Sequence, residues 1–226
     1  LNTEWQQVTD ATMLTARAVS LVERAAAQAI AERGAFHVVL SGGTTPRAIY
    51  EQLRALDAAW AQWHVYFGDE RCVPRDDADR NSLMAHRAWL DHVPLPASQI
   101  HIIPAERGAA DGAREYARVI AHVGTFDLVL LGLGEDGHTA SLFPGHEWGA
   151  GLGAPDVLAV EDAPKPPSSR VSLSARRLSD ARAVVFVVSG ASKRDAVRRW
   201  RAGEEIPARA IAPVGGVVVL LDAAAG

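Results

Sequence analysis

The run Phe126-Asp127-Leu128-Val129-Leu130-Leu131 shows almost no polar alternation. That is the pattern of a strand buried on both faces, and such strands belong to parallel sheets covered by helices. Phe36-His37-Val38-Val39-Leu40, Trp63-His64-Val65-Tyr66-Phe67, Ile100-His101-Ile102-Ile103-Pro104 and Ala183 to Val188 read as further short strands, followed by a last one from Gly216 to Leu221. Val157 to Val160 and Val171 to Leu173 add two more in the C-terminal half. Between them, Ala11 to Arg33 has apolar residues at helical spacing with Gly34 as a stop, and Ala109 to His122 forms another helix. The alternation predicts an α/β chain with a mostly parallel sheet, and 226 residues suit a single domain over 1–226.

In an open parallel sheet, ligands bind beyond the carboxyl ends of the strands, so the loops at those ends carry the chemistry. Phe126 to Leu131 runs into Gly132-Leu133-Gly134-Glu135-Asp136-Gly137-His138-Thr139-Ala140-Ser141-Leu142-Phe143-Pro144. There Asp136 and His138, two residues apart, can both face a ligand, and imidazole is the side chain best suited to move a proton near neutral pH. The glycines at 132, 134 and 137 match a dinucleotide fingerprint in form. The helix that such a site requires is missing, because Pro144, Gly145, Gly149, Gly151, Gly153 and Pro155 break the next stretch of chain. His138 and His146 lack metal-ligand spacing, and Ala150 stands where a metalloprotease pattern needs its second histidine. A structural role for His138 is the remaining alternative.

Phe36 to Leu40 leads into Ser41-Gly42-Gly43-Thr44-Thr45-Pro46, with Pro46 expected as the first residue of a helix. Open backbone N–H groups and the helix dipole make such a loop an anion site. No Gly-Lys-Thr comes after it, so a sugar phosphate fits better than a nucleoside triphosphate, and an ordinary tight turn is the plain alternative. Trp63 to Phe67 ends in Gly68-Asp69-Glu70-Arg71-Cys72-Val73-Pro74, whose three consecutive charges read on their own as a solvated loop, and Asn81 or Ser82 is expected to cap the next helix. Ala183 to Val188 ends in Ser189-Gly190-Ala191-Ser192-Lys193, from which Lys193 can reach the same crevice or lie solvated on a helix turn.

A net charge of −4 without any basic block gives no sign of nucleic acid or a membrane surface, which leaves a small molecule as the expected partner. With Cys72 alone there is no internal disulfide, and the N-terminal residues, with Glu4 and Asp10, do not read as a leader. The expectation is a cytoplasmic protein. The sequence has no signal for oligomeric state.

Taken together, Ser41 to Pro46, Phe67 to Pro74, Gly132 to Pro144, Pro167 to Arg170 and Ser189 to Lys193 resemble the 6-phosphogluconolactonases, over nearly the whole chain and in the expected order. The resemblance implies a doubly wound α/β fold with helices on both faces, shared with glucosamine-6-phosphate deaminases and ribose-5-phosphate isomerases, and no metal or organic cofactor. It implies hydrolysis of 6-phospho-D-glucono-1,5-lactone to 6-phospho-D-gluconate in the oxidative pentose phosphate pathway. By the same resemblance His138 is the general base, Asp136 orients it, and Arg71 faces the reacting end. Ser41, Gly42, Gly43, Thr44, Asp69, Arg170 and Lys193 are implied substrate contacts, the phosphate lying on the Ser41–Thr44 loop with Arg170 and Lys193 as charged partners. Two positions depart from the pattern: Arg80 precedes Asn81 where many relatives have serine, and the last strand lacks an aromatic residue. A deaminase of the same fold needs a glutamate where this chain has Phe143, and a sugar-phosphate sensor needs a DNA-binding segment that the residues before Phe36 do not supply.

Overall fold

The computed structural model describes residues 2–226. In chain order the elements are β1 (Thr3–Val8), α1 (Ala11–Arg33), β2 (Phe36–Leu40), α2 (Thr44–Leu53), β3 (Trp63–Phe67), β4 (Asp69–Arg71), α3 (Asn81–Ala88), β5 (Ile100–His101), α4 (Ala109–Ile120) and β6 (Phe126–Leu131). They continue with β7 (Val157–Val160), β8 (Arg170–Leu173), α5 (Ala175–Ser179), β9 (Ala181–Val188), α6 (Arg194–Arg201) and β10 (Val217–Asp222). Seven strands form an all-parallel sheet in the order β1-β10-β9-β6-β2-β3-β5. From β2 the chain builds outward through β3 and β5; from β6 it builds the other way through β9 and β10. The adjacent pair β6 and β2 is therefore the switch point, and the crevice beyond their carboxyl ends is where this architecture binds ligands.

Side-chain alternation along β3 separates the two layers. Trp63 packs with Phe36, Trp60 and Trp89, and Trp89 stacks with Tyr50 of α2. Tyr66, on the opposite face, meets Phe126, which in turn lies under the Arg177 guanidinium of α5. All six β6 side chains are buried, as a doubly covered central strand requires. α1 ends where its sequence says it should: Gly34 adopts a left-handed φ of 80° and its N–H returns to the Ile30 carbonyl, while the Asp10 carboxylate caps the start by accepting from Met13 N.

Three expectations need correction. Ile100 to Pro104 pairs only over its first two residues, because Pro104 has no N–H and the Ile103 carbonyl accepts from Ala105 N and from Arg80 Nη2 instead of from a neighbouring strand. The Asp69–Arg71 segment is strand β4 of a second, antiparallel sheet in the order β4-β8-β7, with Asp69 and Glu70 buried. That small sheet lies outside the parallel one and brings Arg71 opposite Arg170. The third correction is β1, which carries polar residues at Thr3, Glu4, Gln6 and Gln7 and gave no strand signal, yet pairs along its full length with β10 at the sheet edge. No helix among the described residues is long and apolar enough to cross a membrane.

His37, His64 and His101, on three adjacent strands, stack ring on ring with centroids 4.7 and 5.8 Å apart, and His101 also stacks on Tyr66. Burial pushes all three imidazoles below the ordinary histidine value; charge on His64 lowers His37 further, charge on His64 and His37 lowers His101 further, and Asp127 partly offsets this at His37. Unfolded histidines ionise near ~6.5. Below that pH the unfolded chain binds more protons than the folded one, so stability is full above it and declines as pH falls toward the lowered folded values. The urea midpoint should drop between about pH 7 and pH 5.5, with a shallower drop in His64→Phe. A flat midpoint over this interval would contradict the neutral stack.

Candidate active site

The loop after β2 is shaped by three contacts. Gly43 precedes α2 with φ 107°, in the region that favours glycine. α2 begins at Thr44, so Pro46 is its third residue and not its first; it still lies in the turn whose N–H groups have no helical partner. Gly42 is required by close approach, since a Cβ there would lie 1.9 Å from Asn81 Oδ1. The backbone of Ser41 is clamped by buried Tyr50, whose hydroxyl accepts from Ser41 N at 3.0 Å and donates to Ser41 O at 2.8 Å. The Ser41 hydroxyl is buried without a protein partner, and the residue lines the crevice.

The turn after β6 closes through Gly134 N donating to His138 O at 2.8 Å and Gly137 N to Gly134 O at 3.0 Å. The imidazole lies directly on Gly134, where a Cβ would come within 2.0 Å of His138 Nδ1. Asp136 Oδ1 is 2.5 Å from His138 Nδ1 and also accepts from His138 N at 3.1 Å. Burial opposes ionisation of this carboxyl, but hydrogen bonds from the His138 ring and backbone outweigh it and hold Asp136 well below the usual carboxylate range. A carboxylate on Nδ1 makes that nitrogen the donor, which leaves Nε2 with its lone pair. From behind, Arg199 Nη1 donates to the Asp136 carbonyl at 3.1 Å, and Ala208 N donates to Gly137 O at 3.2 Å. Phe143 packs 4.9 Å from the His138 ring.

Buried Asp69 accepts from Ser141 Oγ at 2.6 Å and from Asn81 Nδ2 at 3.1 Å, tying the β4 arm to the far limb of the His138 turn and to the residue that packs on Gly42. Arg71 donates from Nη1 to Asp79 O at 2.6 Å, and its Nε is buried without a protein partner. Across the strand pair, Arg170 is 5% exposed, and burial pushes its guanidinium below the ordinary arginine value, with Asp69 opposing and Arg71 adding to the shift. After β9, the Asp222 carboxylate accepts from Ser189 Oγ and Gly190 N, fixing the bend that leads to Lys193.

These segments enclose one crevice of about 430 Å³ beyond the β6 and β2 ends. Ser41, Gly42, Gly43, Thr44, Asp69, Arg71, His138, Arg170 and Lys193, all expected from the sequence, line it together. Asp136 does not; it stands behind His138 as its partner. Further lining residues that the sequence did not assign to the site include Asn81, read there as a helix cap, Lys165, in a proline-rich loop, and Ser192. Among the described residues no group of three or more His, Cys, Asp or Glu side chains is placed to hold a metal ion.

The family model for glucosamine-6-phosphate isomerases/6-phosphogluconolactonase matches residues 9–220. The chain belongs to this family. A 6-phosphogluconolactonase of Nostoc sp. is 40% identical over 233 residues, covering 96% of this chain and 94% of that protein. One from Synechocystis sp. is 41% identical over 229 residues, covering 95% and 93%. The crystal structure of 6-phosphogluconolactonase from Thermotoga maritima superposes with a TM-score of 0.90 at 24% identity, covering 98% of this chain and 100% of that one, a likeness of fold. Phe143, where the resemblance places a glutamate in deaminases, packs against both His138 and the Arg170 guanidinium, the latter 5.5 Å away.

Proposed function

We propose that this chain hydrolyses 6-phospho-D-glucono-1,5-lactone to 6-phospho-D-gluconate, the activity by which its Nostoc and Synechocystis relatives are named. The observation that carries the mechanism is the 2.5 Å contact between Asp136 Oδ1 and His138 Nδ1. With Nδ1 as donor, Nε2 takes a proton from water as the oxygen attacks the lactone carbonyl, and Asp136 supports the imidazolium. The same nitrogen then returns the proton to the ring oxygen as the ester bond opens. Arg71 supplies a fixed cation for the developing oxyanion. The phosphate sits on the Ser41–Thr44 loop at the start of α2, with Lys193 and the Arg170 side of the crevice providing charge. Localisation in the cytoplasm and a small-molecule partner alone fit this reading.

The deaminase alternative is disfavoured by Phe143, an apolar ring where ring opening of an amino sugar calls for a carboxylate. Freshly generated 6-phosphogluconolactone, with excess chelator present, should release acid far faster than its spontaneous opening. No acceleration, together with ammonia release from glucosamine 6-phosphate, would reverse the assignment.

A further inference from the structure

We infer that Lys165 is a phosphate-binding residue of the crevice, and that Arg170 is its positioning residue, holding the loop that carries it. The inference rests on the proposed lactonase reading and deepens it. Arg170 Nε donates to Pro167 O at 2.9 Å, and Nη2 donates to Lys165 O at 2.9 Å and Pro166 O at 3.4 Å. Most of the planar donor fork of this buried arginine is therefore spent on three consecutive carbonyls of one loop, and only Nη1 has no hydrogen bond to the described protein. The loop is closed at its neck by Ala163 N donating to Ser168 O at 3.0 Å.

Lys165 is exposed on this pinned loop and lines the same crevice as Lys193 and the Ser41–Thr44 loop. No carboxylate among the described residues lies within ion-pair distance of it, and the nearby Asp162 is paired with His146 at 3.3 Å. A cation at the mouth of a crevice, without a protein counter-ion and on a backbone already ordered, matches a phosphate dianion at little further ordering cost. An ammonium suits that role as a point charge that reaches from solvent, whereas the Arg170 guanidinium is committed to the loop. Losing the guanidinium frees the loop, and the lysine goes with it.

The test is a double-mutant cycle on the full chain. Lys165→Ala should raise KM for the phosphorylated lactone about tenfold, the size of one charge-assisted hydrogen bond, with the loss falling mainly on KM and with kcat/KM less sensitive to salt. Lys165→Arg should recover most of it. Arg170→Ala should raise KM at least as much, and the double variant should be no worse than Arg170→Ala alone, because the second substitution removes a group already displaced. An unchanged KM in Lys165→Ala would remove Lys165 from the site; multiplying effects in the double variant would make Arg170 an independent ligand. If the unmodified chain fails to turn over the lactone, the functional reading falls. The same cycle on the dissociation constant for inorganic phosphate then decides the anion site separately.

Discussion

The His138→Ala variant should fold and bind product much as the unmodified chain does, while kcat falls roughly a hundredfold to ten-thousandfold, the range for loss of a positioned proton acceptor. Its side chain is 20% exposed and packs mainly on Gly134 and Phe143, so little core is lost. Asp136→Asn should cost less, since it removes charge support and leaves the imidazole in place. The pH profile separates the two groups. Asp136 is held ionised well below the usual carboxylate range, so it is already a carboxylate throughout the interval in which a histidine titrates. An acid limb of activity is therefore not due to Asp136, and it should vanish in His138→Ala once spontaneous opening is subtracted. Near-normal turnover with the limb intact would transfer the role of base to another group, with Asp136 the first to examine.

How much of the molecule was legible in the sequence depends on how locally each element is determined. β2, β3, β6 and β9 are continuous apolar runs because both of their faces are covered, and α1 carries its own start and stop in Asp10 and Gly34. The site loops were legible because they come directly after those strands. Elements fixed by distant partners were not. β4 reads as three charges in water until the Ser141 and Asn81 side chains meet Asp69 and backbone N–H groups meet Glu70. β1 is amphipathic only because one edge of the sheet needs covering by β10 pairing. Asn81 or Ser82 was expected to cap α3 with its own side chain, but the cap comes from eleven residues upstream of Asn81. Glu70 Oε1 accepts from Asn81 N at 2.7 Å, and Oε2 accepts from Ser82 N at 2.8 Å.

That remote cap makes Glu70→Ala the substitution with the largest expected loss of stability. Glu70 is fully buried, accepts also from Arg71 N at 2.9 Å, and faces Arg80 Nε at 3.3 Å, an ion pair whose atoms are not aligned as a hydrogen bond. Arg80, 1% exposed, otherwise donates to the carbonyls of Val73 and Ile103 and reaches Glu106 at 3.4 Å. This set of acceptors is why arginine can stand where serine was expected. Burial pushes the Glu70 carboxyl above the ordinary glutamate value, against the pull of Arg80 and the Ser82 hydrogen bonds, so the ionised form is kept at a desolvation cost and the pair adds little net stability. A raised folded value means that Glu70 favours the folded state most at low pH, and that this contribution is lost as pH rises through it. Removal of one partner is different in kind: the guanidinium remains buried with only Glu106 nearby, and two N–H groups of α3 lose their acceptor. The expected loss is about 3–5 kcal/mol, or a melting temperature lower by about 10 °C for a chain of this size. Glu70→Gln, which keeps the shape and one oxygen, should fall between alanine and the unmodified chain. Melting within about 2 °C of the unmodified chain for Glu70→Ala would mean that water enters to solvate Arg80 and the helix end, and that the β4 arm does not depend on this carboxylate.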